Sequence, residues 1–286
     1  MTTTVTLTGT GVPHVAPGRA GAGVLVSYDS CHLQFDAGRA TVLRLAEAGV
    51  TPGDLAAQFV THYHSDHVVD LVDVVMTRWI MGQLRPAPPL DVVVPDGPAA
   101  TFVRRMLDPY EDDVSIRREH VGSPAISINV LPFVPTSTST VVWRSPDGRV
   151  LVEAVGVHHE PVEAAVAYRV TTPDGVVIVS GDTRVCEEVF ELARDSDVLV
   201  HEACRKSSMA TAIAGSTFEK IFDYHADTTQ LGEFAQRFAI RHMVLTHLIP
   251  QPRNERDVEG FERDLRNAGY TGRVTVGQDL DRVVIG

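Results

Sequence analysis

His62-Tyr63-His64-Ser65-Asp66-His67, at the end of the run DLAAQFVTHYHSDH (54–67), decides how this chain is read. A short apolar strand pattern enters the cluster. Helical spacing leaves it, with Val68, Leu71, Val72, Val75, Met76 and Trp79 on one face. The cluster therefore lies in a loop between a strand end and a buried helix. Two imidazoles at i and i+2 of an extended loop can face one cation, and the aspartate and histidine after them can turn toward a second. The competing reading is a polar loop with accidental histidines. Three histidines and an aspartate within six residues, directly after an apolar strand, argue against it.

One loop holds too few ligands for two cations. Further candidates stand where other strand-like runs end: His159 after LVEAVGV (151–157), Asp182 in VVIVSGDT (176–183) and His247 in MVLTH (243–247). α/β folds collect their sites at such strand ends. Each residue alone reads as a solvated turn residue; together they read as a site.

Around these points the strand-then-helix rhythm is regular. Val5 and Leu7 alternate with threonines, and GAGVLVSYD with CHLQFDAG reads as a hairpin. Helices are predicted over 40–48, 99–107 and 184–194, and strands over 91–94, 164–170 and 197–203. Asp227 with Gln230 resembles a capping box ahead of the face Leu231, Phe234, Ala235 and Phe238. A last helix carrying Val258, Phe261, Leu265 and Ala268 stops at Gly269, and RVTV (273–276) reads as the closing strand. GRAGAG (18–23) lacks the G-x-G-x-x-G order and reads as turn glycines. Residues 121–148 show no clear element. Within them 133–146 is the candidate specificity segment, with Phe133 and Trp143 as apolar substrate contacts or, alternatively, as plugs of a core or dimer surface. No linker interrupts the chain, so residues 1–286 are expected to form one domain of two similar α/β halves.

Composition narrows the function classes. The 286 residues are 44% hydrophobic and 22% charged, which excludes global disorder. Acids outnumber bases 37 to 25, a net charge of -12, so a nonspecific nucleic-acid binder is disfavoured. Cys31, Cys186 and Cys204 are too few and too scattered for a disulfide framework or a thiolate zinc site. MTTTVTLTGTGVP carries neither the basic nor the apolar part of a signal peptide, and nowhere do 18 apolar residues run together. The expectation is a cytoplasmic protein with no membrane span.

THYHSDH resembles the H-x-H-x-D-H signature of the metallo-β-lactamase superfamily, whose fold is a four-layer αββα sandwich. LTGTG (7–11), DAG (36–38), HEPVEAAVAYR (159–169), SGDT (180–183), VLVHEA (198–203), HADTTQLGEFA (225–235) and LTH (245–247) are similar to its ribonuclease Z-like branch. That branch also holds small-molecule phosphodiesterases and arylsulfatase-like enzymes. The resemblance implies two Zn2+ ions, with Mn2+ or Fe as alternatives. His62, His64 and His159 would hold one ion, Asp66, His67 and His247 the other, with Asp182 between them. Of the adjacent His158 and His159, the spacing to Pro161-Val162 favours His159. Asp36 is expected to hydrogen-bond around the histidine loop and His201 to stand behind the ligands. The implied chemistry is hydrolysis by a hydroxide bridging metals roughly 3.5–4 Å apart, oriented by Asp66.

Glu202 and His225 resemble a pair in which a glutamate holds a histidine that serves the leaving group. Lactone- and β-lactam-opening relatives generally lack it. Departures from the pattern are Cys204, Ala226-Asp227 and Ala167. In bacterial ribonuclease Z a long tRNA-gripping arm lies between the tyrosine and aspartate motifs; here little more than TTPDG separates Tyr168 from Asp182. This disfavours tRNA 3′ processing. The leading reading is a dinuclear zinc hydrolase of a small ester, a phosphodiester first and an aryl sulfate second. The alternatives are opening of a lactone or other cyclic acyl compound, with Tyr63 or Tyr168 polarising the carbonyl, and a noncatalytic binding protein. The resemblance also implies a homodimer.

Overall fold

Period-2 alternation divides the strands between inner and outer faces. Val24, Val26 and Tyr28 point into one core while Leu25 joins another; Val93 and its neighbours Val92 and Val94 divide the same way. Such strands need cover on both sides, and the chain supplies it as two sheets back to back with helices outside each.

The structure is a computed structural model that describes residues 2–286. The first half contains β1 (Thr3–Gly9), β2 (Gly23–Tyr28), β3 (Cys31–Phe35), α1 (Thr41–Glu47), β4 (Leu55–Phe59), α2 (Ser65–Val68) and α3 (Leu71–Gly82). It continues with β5 (Leu90–Pro95), α4 (Pro98–Arg105), α5 (Glu111–Val121) and β6 (Ile128–Phe133). The second half opens with β7 (Thr140–Arg144), β8 (Leu151–Gly156), β9 (Val166–Thr172), β10 (Gly175–Val179), α6 (Glu187–Leu192) and β11 (Val198–Cys204). Then follow α7 (Lys206–Ile213), α8 (Phe218–Phe222), α9 (Thr228–Arg237), β12 (His242–Ile249), α10 (Glu255–Asn267), β13 (Arg273–Val276) and β14 (Arg282–Ile285).

The sheets run β14-β1-β2-β3-β4-β5-β6 and β13-β12-β11-β10-β9-β8-β7. One core lies between them; a second packs α6, α9 and α10 on one sheet, and a third packs α1, α3 and α4 on the other. This is the expected αββα sandwich. Pairing is parallel from β3 to β6 and from β10 to β13, so several strands deliver their C-terminal ends in common directions. Among the described residues no helix is long and apolar enough to cross a membrane.

Three regions differ from the sequence reading. Residues 121–148 hold the edge strands of both sheets, β6 and β7. Each is half exposed, which blurs the apolar alternation, and Pro132 sits on an edge where the missing N–H is tolerated. Trp143 is buried, its indole N–H donating to Asp91 at 2.9 Å, and Phe133 packs on the inter-sheet core. Both side chains therefore plug the core rather than contact substrate. The closing strand is β14, which crosses over to pair with β1, while RVTV is the edge strand β13. α6 starts at Glu187 rather than 184, because the preceding backbone is held elsewhere, the Thr183 N–H donating to Glu202 and the Arg184 N–H to the His158 carbonyl.

Tyr168 ties the core to that site. It is fully buried, packs edge-on to Phe59, and donates its hydroxyl proton to the Val60 carbonyl at 2.7 Å, just before the histidine loop. It is remote from any carbonyl-polarising role. Tyr168→Phe leaves that buried carbonyl without its donor, and equilibrium urea unfolding should read a loss of about 1–2 kcal/mol. Wild-type stability in this variant would show that the bond does not brace the loop.

Candidate metal centre

The histidine loop is built on Asp36. This residue follows β3 with φ of 57°, in the left-handed region, and turns its carboxylate beneath the loop. It accepts from the Thr61 N–H and Thr61 hydroxyl, both at 2.8 Å, and from His67 Nδ1 at 2.7 Å. The last bond fixes the ring of His67 so that its Nε2 faces inward. Asp36 thus has the bracing role expected of it. Gly181 lets the SGDT turn approach: its φ is +61°, and a Cβ there would lie 2.7 Å from the Thr61 Cβ.

His247 arrives by a different device. The β11–β12 register steps from Glu202↔Thr246 to Ala203↔Leu248, leaving His247 as the extra residue of a bulge, with φ of 43°. A bulge re-aims one side chain, here toward the centre. His247 Nε2 lies 3.3 Å from Asp66 Oδ2 and 3.4 Å from Asp182 Oδ2. Around the same Asp182 oxygen stand His67 Nε2 at 3.3 Å, His159 Nε2 at 3.8 Å and His62 Nε2 at 3.9 Å. His159 Nδ1 donates to the Tyr224 carbonyl at 3.1 Å, and its Nε2 is 3.1 Å from His64 Nδ1.

These contacts form two compact donor groups: His62, His64, His159 and Asp182, and Asp66, His67 and His247. In each the ligand atoms lie within 4.8 Å of one another. All seven sequence-predicted ligands are therefore brought together. His62 Nε2, His67 Nε2 and Asp182 Oδ1 are buried and have no hydrogen-bond partner, a costly arrangement for polar atoms unless a cation meets them. Burial, with the neighbouring imidazoles, lowers His62 well below the usual histidine value; His64 and His159 are lowered in the same way. These shifts favour the neutral, ligating form; at His67 burial also opposes charge, but Asp182 and Asp36 raise it well above the usual value. Burial opposes ionisation of Asp182, but His247 and His67 hold it well below the usual carboxylate value. Imidazoles and carboxylates grouped in this way are a donor set for a divalent metal, zinc above all.

Beside the donors, Glu202 is completely buried and fully engaged. It accepts from His225 Nδ1 at 2.9 and 3.0 Å, from the Thr183 N–H at 2.7 Å and from the Ala226 N–H at 3.2 Å. Burial disfavours charge on His225, yet the Glu202 carboxylate pushes it up to about 9. The ring lies 5.1 Å from that of His159 and lines the open cleft above the donors. Glu202 and His225 also form a third close group with His159 and Asp182. His158 turns outward to Glu188 at 3.1 Å, and His201 bonds the Glu202 carbonyl at 2.8 Å, so neither joins the donors. Tyr63 is largely exposed and rests on Phe102, outside the cleft lining. Thr61, Thr183 and Tyr224 were not singled out in the sequence. Their roles are backbone and bracing contacts, and only adjacency to the motifs signals them.

Residues 34–248 match the sequence model of the Beta-lactamase superfamily domain. The chain belongs to the metallo-β-lactamase superfamily. A protein named Ribonuclease Z from Mycolicibacterium paratuberculosis is 35% identical over 286 residues, covering 98% of each chain. This places the superfamily member in the ribonuclease Z-like branch, among metal-dependent hydrolases of ester bonds. Two solved structures share the fold. The metallo-β-lactamase fold protein YhfI from Bacillus subtilis has a TM-score of 0.76 at 17% identity, over 99% of this chain and 100% of its own. Human tRNase Z, short form, has a TM-score of 0.69 at 20% identity, over 99% of each chain.

The adjacent histidines give a direct test. Elemental analysis of purified protein should find metal lost from His159→Ala and retained in His158→Ala. The metal-free wild type should also melt at a lower temperature than the loaded protein, because a ligand bound only to the folded state stabilises it. Equal metal content in the two variants would contradict this ligand set.

Proposed function

We propose that this superfamily member is a dinuclear zinc phosphodiesterase, acting as one domain over residues 1–286. His62, His64 and His159 would hold one ion, Asp66, His67 and His247 the other, with Asp182 shared. When bound, the ions supply Lewis acidity that activates water and offsets negative charge on the phosphoryl group. The observation that carries the reading is the Glu202–His225 pair set against that donor cluster. Glu202 holds His225 through Nδ1 and favours its cationic form, and the ring faces the cleft. It is thereby placed to hold the departing oxygen and give it a proton. Asp66 presents a carboxylate to the same cleft, suited to orienting the attacking water.

An RNA phosphodiester is the first substrate reading, supported by the Ribonuclease Z relatives. The short β9–β10 turn had argued against RNA. An alignment over 286 residues and 98% of both chains leaves no room for a long arm in one protein and not the other. Its lack therefore does not separate this chain from that relative. A small organic phosphodiester or aryl sulfate is the second reading, favoured by the net charge of -12. Opening of a lactone draws no support from Tyr63 or Tyr168, given where they stand.

Chelation should abolish hydrolysis of bis(p-nitrophenyl) phosphate and of a precursor RNA, and added zinc should restore it; inactivity on both substrates, and on p-nitrophenyl sulfate, refutes the proposal. His225→Ala should lower kcat about 10²–10⁴-fold on diesters with poor leaving groups and much less on p-nitrophenyl esters. A uniform loss would remove the proton-donating role.

A further inference from the structure

The cleft above the donor groups has a volume of about 810 Å³ and two unlike surfaces. Its floor is polar, made by His64, Asp66, Asp182, His225 and His247. Its walls are apolar and come from three segments: Val12 and Val15 after β1, Ile213, Phe218 and Phe222 of α7 and α8, and Ile249 at the end of β12. Val15 is 77% exposed and Phe218 44% exposed, so large apolar side chains stand open to solvent at the mouth of a hydrolytic site. Among the described residues Arg253 is the one lysine or arginine in the lining. A polyanionic backbone would call for several.

The lip is held in place. Asp279 accepts from the Thr10 N–H at 3.0 Å, the Thr10 hydroxyl at 2.7 Å and the Ala20 N–H at 2.6 Å, spanning the loop that carries Val12 and Val15. Gln251 donates to the His14 carbonyl at 2.6 Å, joining that loop to the segment after β12. Two of the three wall segments are thus tied in place, and the volume falls in the range of pockets for organic molecules, roughly 300–1,000 Å³.

We infer that the substrate carries an apolar organic group esterified to the scissile phosphate, and that this cleft between Val15, Ile213, Phe218 and Ile249 seats it. The inference rests on the phosphodiesterase reading and specifies its substrate class. An aryl group of a small ester and a nucleobase at the end of an RNA share the chemistry required. Neither needs charge from the walls, and both leave the phosphate over the polar floor.

Two readouts on the metal-loaded protein test it. The first is kcat/KM for p-nitrophenyl phosphodiesters whose retained group is methyl, phenyl, naphthyl or thymidine-5′. The second is calorimetric binding of methyl-, phenyl- and naphthylphosphonate, which reports on the cleft even if no ester turns over. The phenyl ligands should outrun methyl by about tenfold or more, as burial of an aromatic ring predicts. Val15→Ser and Phe218→Ser, both at exposed positions, should each lower the phenyl-to-methyl ratio about threefold. A thymidine ester that outruns the naphthyl ester identifies a nucleobase as occupant, the reverse identifies an aryl group, and either order upholds the inference. Methyl and phenyl phosphonates binding within twofold of each other would overturn it, as would an unchanged ratio in both variants. Absence of turnover with a preserved phenyl preference in binding would instead sink the phosphodiesterase reading alone.

Discussion

The Asp182 carboxylate, buried among four imidazoles, is the constraint around which the structure is arranged. Its Oδ2 lies between 3.3 and 3.9 Å from nitrogens of His62, His67, His159 and His247. An ionised carboxylate so far from water is stable only if charge or hydrogen bonding compensates its lost hydration. The imidazoles do so in part, yet the inward nitrogens of His62 and His67 have no hydrogen-bond partner. A divalent cation would satisfy the carboxylate and the lone pairs together, which makes the centre polar, dry and selective for metal at once.

Such a centre needs a rigid frame, and the back-to-back sheets provide one. The donors come from the ends of β4, β8, β10 and β12, with α2 supplying Asp66 and His67. Between the sheets, Phe35, Phe59, Tyr168 and Trp143 pack directly beneath the loops. Of the seven non-glycine residues with positive φ among the described residues, two serve the site: Asp36 and the bulged His247. Strain of this kind persists where surrounding packing over-determines the conformation. Here it aims one bracing carboxylate and one imidazole that regular strands would direct elsewhere.

The donor groups and the apolar walls of the cleft draw on different parts of the chain. The donor cluster and the Glu202–His225 pair lie at strand ends and in the loops beside them, where small displacements would disturb the chemistry. The apolar walls of the cleft come from the loop after β1, the short helices α7 and α8, and the segment after β12. These are connections, in which sequence can vary without unsettling the core.

The amino-acid sequence by itself marked seven candidate donor residues and, through the family its motifs resemble, implied the sandwich class and the Glu202–His225 pair. Its signals were local: apolar periodicity for the elements, and short motifs that keep histidines and acids within a few residues of one another. His159 was separable from His158 because a motif spacing marks it. Tertiary structure alone decided what depends on distant segments meeting. The half-exposed edge strands β6 and β7 have too weak an alternation to be read, so Phe133 and Trp143 passed for substrate contacts although they plug the core. The bulge at His247 is invisible without its partner strand, because register belongs to the pair. The cleft is assembled from segments more than two hundred residues apart in the chain (Val12 and Pro252), and no local pattern encodes the space between them.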